Sequence, residues 1–200
     1  MRGINGALIA LNVAVFLLQL ELPDAAVARF ALWPLGVHAV ATYGPVAHFA
    51  LWQLVTSAFL HGSWTHLGLN MFALWMFGRD CEAVLGARRY LILYFASVLS
   101  ASLLQLVVVS ASGATYPTVG ASGGVFGVLL TFAVLFPTRR IMLLIPPIPL
   151  PAWLFVTGYA LIELGHGVFG TEAGVAHFAH LGGMLGALLV ILAWRRRAVR

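Results

Sequence analysis

A chain of 200 residues that is 62% hydrophobic and only 8% charged has too little polar surface for a soluble domain, in which about 25% of residues are charged. Spans of about 20 residues plus connections allow roughly six crossings in that length, so residues 1–200 are read as one all-α, polytopic membrane domain in a lipid bilayer with no room for a separate soluble unit. The net charge of +5 resides in arginines beside apolar runs, where they set topology, so no nucleic acid partner is expected; a single cysteine, Cys81, excludes an intramolecular disulfide and a Cys-rich metal site.

The first apolar run, Ile4 to Leu20, is long for the apolar region of a signal peptide, and Glu21-Leu22-Pro23-Asp24 is a poor cleavage site; a retained span at Ile4 to Leu22 is expected. The connection from Pro23 to Gln53, with Trp33 and Trp52 among apolar residues, is expected to lie in the membrane interface. Further spans are predicted at Leu54 to Phe77, Tyr90 to Ala111, Gly120 to Phe136, Leu150 to Gly167 and Phe178 to Trp194. The prolines at 146, 147, 149 and 151 should break any helix before the fifth. An internal amino terminus puts Arg2, Arg79, Arg88, Arg89, Arg139, Arg140, Arg195, Arg196, Arg197 and Arg200 on the cytoplasmic side and Arg29 alone outside. Both termini are then cytoplasmic by the positive-inside rule.

Polar groups at lipid depth must face protein or a water-filled cavity, which makes Ser122 and His180 candidates for function. Both lie near the outer ends of their spans, the fourth and sixth, and can meet at one depth. A serine hydroxyl becomes a nucleophile when an imidazole takes its proton. Small-xxx-small pairs, Gly123 with Gly127 and Gly182 with Gly186, are expected to bring these two spans into close backbone contact. Donors for the oxyanion formed by serine attack are sought in the second span, where His66 and Asn70, four apart, share a helix face. His61 shares that face only if the helix starts late. The Ser122 backbone N–H, near a helix start, is a further donor. His38, His48, His166 and His177 are read as structural, and Glu163 as a carboxylate hydrogen-bonded or snorkelling at the outer interface.

Other chemistries fit less well. His61 and His66 lack the His-Glu-x-x-His spacing of zincins, and the second span offers no acidic ligand. Gly120-Ala121-Ser122-Gly123-Gly124 matches a soluble hydrolase elbow, but no strand precedes it and that elbow needs an acidic partner between serine and histidine. A transporter would carry inverted repeats and charge near the bilayer middle, and the sequence shows neither.

The stretches His61-Gly62-Ser63-Trp64-Thr65-His66-Leu67-Gly68-Leu69-Asn70, Gly120-Ala121-Ser122-Gly123 and Ala176-His177-Phe178-Ala179-His180-Leu181-Gly182-Gly183, in that order, resemble the rhomboid family of intramembrane serine proteases. The resemblance implies a six-transmembrane-helix bundle that cleaves transmembrane segments of membrane proteins. It implies Ser122 as nucleophile and His180 as general base, a dyad without an acidic third member, with His66, Asn70 and the Ser122 amide at the oxyanion. No cofactor or metal is implied. Phe126 matches the aromatic ring set against the histidine, and Glu82 with Gly86 matches a further pattern. Trp52-Gln53 departs from the family's Trp-Arg, whose arginine braces the first loop. The alternative is a non-catalytic rhomboid-like binding or chaperone factor, which would have no need of Ser122 and His180 together. A prokaryotic inner membrane is the expected location.

Overall fold

The computed structural model describes residues 3–37, 48–113, 115–143, 147–170 and 175–198. Arg2, His38, Pro146 and Arg200, which enter the expectations above, lie outside the described residues. Helix α1 spans Ile4–Glu21, and the short α2 and α3 span Asp24–Ala28 and Gln53–Thr56. The second predicted span starts later than expected, as a 3-10 turn at Ser57–Phe59 and an extended Leu60 precede α4, Trp64–Ala73. Ser63 is the cap that starts α4: its side chain accepts the His66 N–H at 3.1 Å. The helix continues through a π-helical turn, Leu74–Gly78, into α5, Arg79–Leu85. Then come α6 (Ala87–Ala111), α7 (Ser122–Leu135), α8 (Ala152–Phe169) and α9 (His177–Ala198).

The mostly helical, polytopic character read from composition is what the structure has. Helices α1, α6, α8 and α9 are each long and apolar enough to cross a membrane, and α7 is a shorter apolar helix. Large apolar side chains such as Leu18, Val107, Leu161 and Leu189 are exposed on the outside of the bundle, as expected where lipid is the solvent. One antiparallel hairpin departs from a purely helical fold: β1 (Arg140–Met142) pairs with β2 (Pro149–Pro151), with Ile141 opposite Leu150. The prolines do stop helix there, and α8 begins directly after Pro151.

Helix α9 packs along α6 and α7, and glycines set the separations. A Cβ on Gly183 would collide with the Gly123 carbonyl, and one on Gly127 would meet the Ser97 side chain and lie 3.0 Å from the Gly183 carbonyl oxygen. The α7–α9 contact therefore runs through Gly123, Gly127 and Gly183. Gly182 and Gly186 do not serve it as expected: an added Cβ would meet Ala101 and Ser100, or Ala96 and Ser100, all on α6. Gly182 sits one position, about 100°, around the helix from Gly183, so α9 uses neighbouring small residues to approach two different helices.

The arginine-rich helix ends gather at one end of the bundle. Glu82 on α5 accepts the N–H groups of Ile4 and Asn5 at 2.7 and 3.0 Å, capping the start of α1 with a carboxylate where the helix dipole favours one. Arg89 at the start of α6 lies over the Trp194 ring near the end of α9, and Arg139 pairs with Asp80. The start of α1 and the end of α9 thus share an end with Arg79, Arg88, Arg89 and Arg139.

At the opposite end, Gln53 replaces the expected arginine and still braces the first loop. It is 1% exposed; its oxygen accepts the N–H groups of Trp33 and Ala50, both at 3.2 Å, and its Nε2 donates to the carbonyls of Arg29 and His48 at 3.1 and 3.0 Å. A carboxamide has two acceptor sites and two donors, and all four are used on backbone. Thr56 Oγ1 and the Trp52 indole donate to Phe30 and Arg29 carbonyls, and Leu32 and Thr118 exchange backbone hydrogen bonds at 3.0 and 2.9 Å. The loop is thereby tied to the segment that leads into Ser122.

Candidate active site

Ser122 is the first residue of α7. Its N–H has no acceptor within the helix and points along the positive end of the dipole. The fourth span thus begins two residues after the predicted Gly120, which instead forms the approach. Gly120 adopts φ +132, donates its N–H to the Ser57 carbonyl at 2.9 Å, and passes so close to His66 that a Cβ would sit 2.7 Å from both Cε1 and Nε2 of that ring. Only glycine combines that backbone with that approach. The same Cβ position is 3.7 Å from Ser122 Oγ, which places the His66 ring beside the serine.

His180 stands one turn into α9, and its Nε2 lies 2.9 Å from Ser122 Oγ. The two residues expected to meet do meet, at hydrogen-bond distance. Phe126, one turn along α7 from Ser122, stacks on the His180 ring at 4.1 Å and 4°, and Tyr159 of α8 stacks on the other face of Phe126 at 5.2 Å. The imidazole is held flat against α7 by an aromatic pair.

His66 and Asn70 both line the same cavity as Ser122 and His180. His66 Nδ1 accepts the Gly62 N–H at 3.4 Å, so in the neutral ring the proton resides on Nε2, the atom facing Gly120. Asn70 Nδ2 donates to the His66 carbonyl at 3.0 Å, which holds its carboxamide on the cavity side of α4. His61 behaves differently. Because α4 starts at Trp64, His61 precedes the helix; it is fully buried, packs edge-on to His66 at 5.0 Å and to Phe16 at 6.3 Å, and does not line the cavity. Its backbone is clamped by Gln19 at both N–H and C=O. It buttresses His66 from behind.

The cavity holds about 1290 Å³ and is open on one side. One wall is α4 and the π-helical turn, with Leu69, Trp75 and Met76; the other is α8, with Phe155 and Tyr159. His66, Asn70, Ser122 and His180 line one end, while Arg79, Asp80, Arg139 and Arg140 line the far end.

Of the two expectations for Glu163, the hydrogen bond holds and the snorkelling does not. This α8 carboxylate is 5% exposed and does not snorkel. Its Oε2 lies 2.8 Å from Nδ1 of His180 and 2.7 Å from Nδ1 of His177. An acidic group therefore stands behind the histidine that the resemblance left without one. His177, read from the sequence as structural, is 6% exposed, and its ring stacks on His166 at 5.4 Å. The sequence signal was a lone carboxylate within an apolar span, which by default marks function; its partner, 17 positions away on another helix, has no periodic relation to it. The donor atoms of Glu163, His177 and His180 lie within 4.8 Å of one another.

A model of the Rhomboid domain matches residues 48–197, which contain every residue of this site. Rhomboid protein 1, mitochondrial, of Saccharomyces cerevisiae is 39% identical over 140 residues, covering 68% of this chain and 40% of that protein. Presenilin-associated rhomboid-like protein A, mitochondrial, of Danio rerio is 29% identical over 162 residues, 78% of this chain and 42% of its own length. Rhomboid protease GluP of Bacillus subtilis is 28% identical over 148 residues, 74% of this chain and 27% of that protein. The chain thus spans well under half the length of these relatives.

Proposed function

Because this chain belongs to the rhomboid family, we propose that it is an intramembrane serine endopeptidase that cleaves transmembrane segments of membrane proteins, with Ser122 as nucleophile and His180 as general base. The observation that carries the reading is the 2.9 Å contact between His180 Nε2 and Ser122 Oγ inside a cavity open on one side. As Oγ bonds to the scissile carbonyl carbon, its proton passes to Nε2 and the carbonyl electron pair moves onto oxygen. His66 Nε2–H, the Asn70 carboxamide and the Ser122 N–H are the donors proposed for that oxyanion. The Nε2 proton then goes to the leaving amine, and a water, deprotonated by the same nitrogen, releases the acyl group from Ser122. Each step uses groups of the chain and water, so no cofactor is invoked.

The substrate class follows from the medium. A lipid-embedded helix satisfies its backbone internally and must be locally unwound before a carbonyl can be attacked; the Ser122 end of the cavity supplies replacement partners. A six-span bundle with both termini cytoplasmic completes the reading. Relatives named as mitochondrial and a bacterial one stand side by side, and either membrane suits the reaction, so the prokaryotic inner membrane expected from the sequence is one of two settings that fit.

The test is reconstitution in liposomes with a single-span reporter protein. The parent should cleave it and label with a fluorophosphonate; Ser122→Ala and His180→Ala should do neither at a measurable rate while remaining folded. A parent that binds the reporter without cleaving it would establish the chaperone-like alternative, and turnover by Ser122→Ala would remove Ser122 as nucleophile.

A further inference from the structure

We propose that Glu163 is a positioning residue for the base, making the site a Ser122–His180–Glu163 relay with His177 as the second anchor of the carboxylate. The inference rests on the reading of Ser122 and His180 above and deepens it.

An ionised carboxylate can only accept hydrogen bonds. With Oε2 of Glu163 at 2.8 Å from His180 Nδ1 and 2.7 Å from His177 Nδ1, both ring atoms are donors. The consequence for His180 is a fixed tautomer: Nδ1 holds the proton, and Nε2, 2.9 Å from Ser122 Oγ, is left bare to accept one. When Nε2 takes the serine proton the ring becomes an imidazolium, and the carboxylate stabilises that charge without itself becoming protonated. Among the described residues, Glu163 is the acceptor that meets His180 Nδ1.

The surroundings make this more than a chance contact. Glu163, His177 and His180 are all buried, and a charge taken from water into such a site persists only where it is paired and hydrogen-bonded. Two donors meet one oxygen, and they come from consecutive turns of one helix, since His177 and His180 are three apart on α9. His177 therefore holds the carboxylate from one side while His180 uses it from the other. Phe126 fixes the ring plane of His180; Glu163 fixes its rotation within that plane. The carboxylate comes from α8, whose Tyr159 also stacks on the Phe126 ring that faces His180, so this helix reaches the base through two side chains.

The experiment has two arms. In the first, the parent protein is prepared with ¹⁵N-labelled histidine in detergent micelles. The His180 signals, assigned by their loss in His180→Ala, should show a protonated Nδ1 with a far-downfield proton resonance and an unprotonated Nε2. A His180 protonated at Nε2, or bare Nδ1 atoms on both His177 and His180 as a shared metal ion would require, overturns the relay. This arm does not depend on any Glu163 variant folding.

The second arm is a graded series on reporter cleavage. Glu163→Asp keeps charge and hydrogen bond at a shorter reach. Glu163→Gln keeps an acceptor oxygen without the charge, and Glu163→Leu removes both. Rates should fall in that order, with kcat lowered and KM unchanged, by up to about 10⁴-fold for Glu163→Leu as in soluble triads whose acidic member is disabled. His177→Phe, which leaves the His180–Glu163 bond in place, should cost less than Glu163→Leu. If Glu163→Leu cleaves at the parental rate while Ser122→Ala is inactive, the relay is wrong and the dyad stands. Should Ser122→Ala itself cleave, the failure lies with the nucleophile.

Discussion

At the scale of single residues, the oxyanion donors proposed on α4 face a requirement that Ser122 and His180 do not, because in the proposed reaction they matter only while charge sits on the carbonyl oxygen. His66→Ala and Asn70→Ala should each lower reporter cleavage by up to about a hundred- to a thousandfold with substrate binding little changed, as loss of one oxyanion donor does elsewhere. Fluorophosphonate labelling should slow yet persist in both, since His180 still takes the serine proton; parental cleavage rates in both would leave the oxyanion to backbone amides alone. Gln53 is a second residue-scale case. Gln53→Leu would remove the Gln53 partner of four backbone groups, of which the Trp33 N–H is buried and the others partly buried; the buried one alone costs on the order of 1–3 kcal/mol if nothing replaces it. A drop of several degrees in Tm is expected, and an unchanged Tm would show that water reaches those groups.

Between elements, the outcome depends on which backbone faces which. Gly183→Ala places a methyl group against the Gly123 carbonyl, a backbone atom of a packed helix that cannot turn aside. Overpacking of this kind costs about 1–3 kcal/mol or more, and because it separates the helices that carry Ser122 and His180, activity should fall with Tm. Gly158→Ala on α8 is the control, since nothing lies within 4 Å of its added Cβ. In a helix interior that change stabilises by about 0.5–1 kcal/mol. Thermal melting of the two variants should move in opposite directions; equal shifts would mean that the α7–α9 approach is looser than the glycines imply.

For the whole molecule, the gathering of arginines at one end predicts an orientation. After replacement of the buried Cys81 by alanine, a cysteine at exposed Ser112 should react with an impermeant maleimide from outside and one at exposed Thr138 only from the cytoplasm. The reverse pattern would place Ser122 near the inner leaflet and overturn the topology. A chelator should leave cleavage of the reporter unchanged, because every proton and electron pair in the proposed reaction is carried by the chain or by water; inhibition would point to an ion among Glu163, His177 and His180.

Some of this was legible in the sequence by itself. Long apolar runs declare spans because lipid accepts nothing else, and the Gly-Ala-Ser-Gly and His-x-x-His-Leu-Gly-Gly stretches point to Ser122 and His180, the proposed nucleophile and base, because that chemistry needs specific residue types in short local contexts. The late start of α4 was readable in principle from Ser63 as a cap, but the apolar run through Leu54 to Phe77 concealed it. Other decisions belonged to the tertiary structure. Whether Gly182 or Gly183 faces α7 depends on a helix rotation of about 100°, which α6 and α7 set together by packing on both sides of α9. A glutamine can do an arginine's bracing only where four backbone groups converge on it, and that convergence is a property of the folded loop. Glu163 is the clearest instance: alone in an apolar helix it is a costly charge, and only the arrival of two imidazole rings from α9 gives it hydrogen-bond partners.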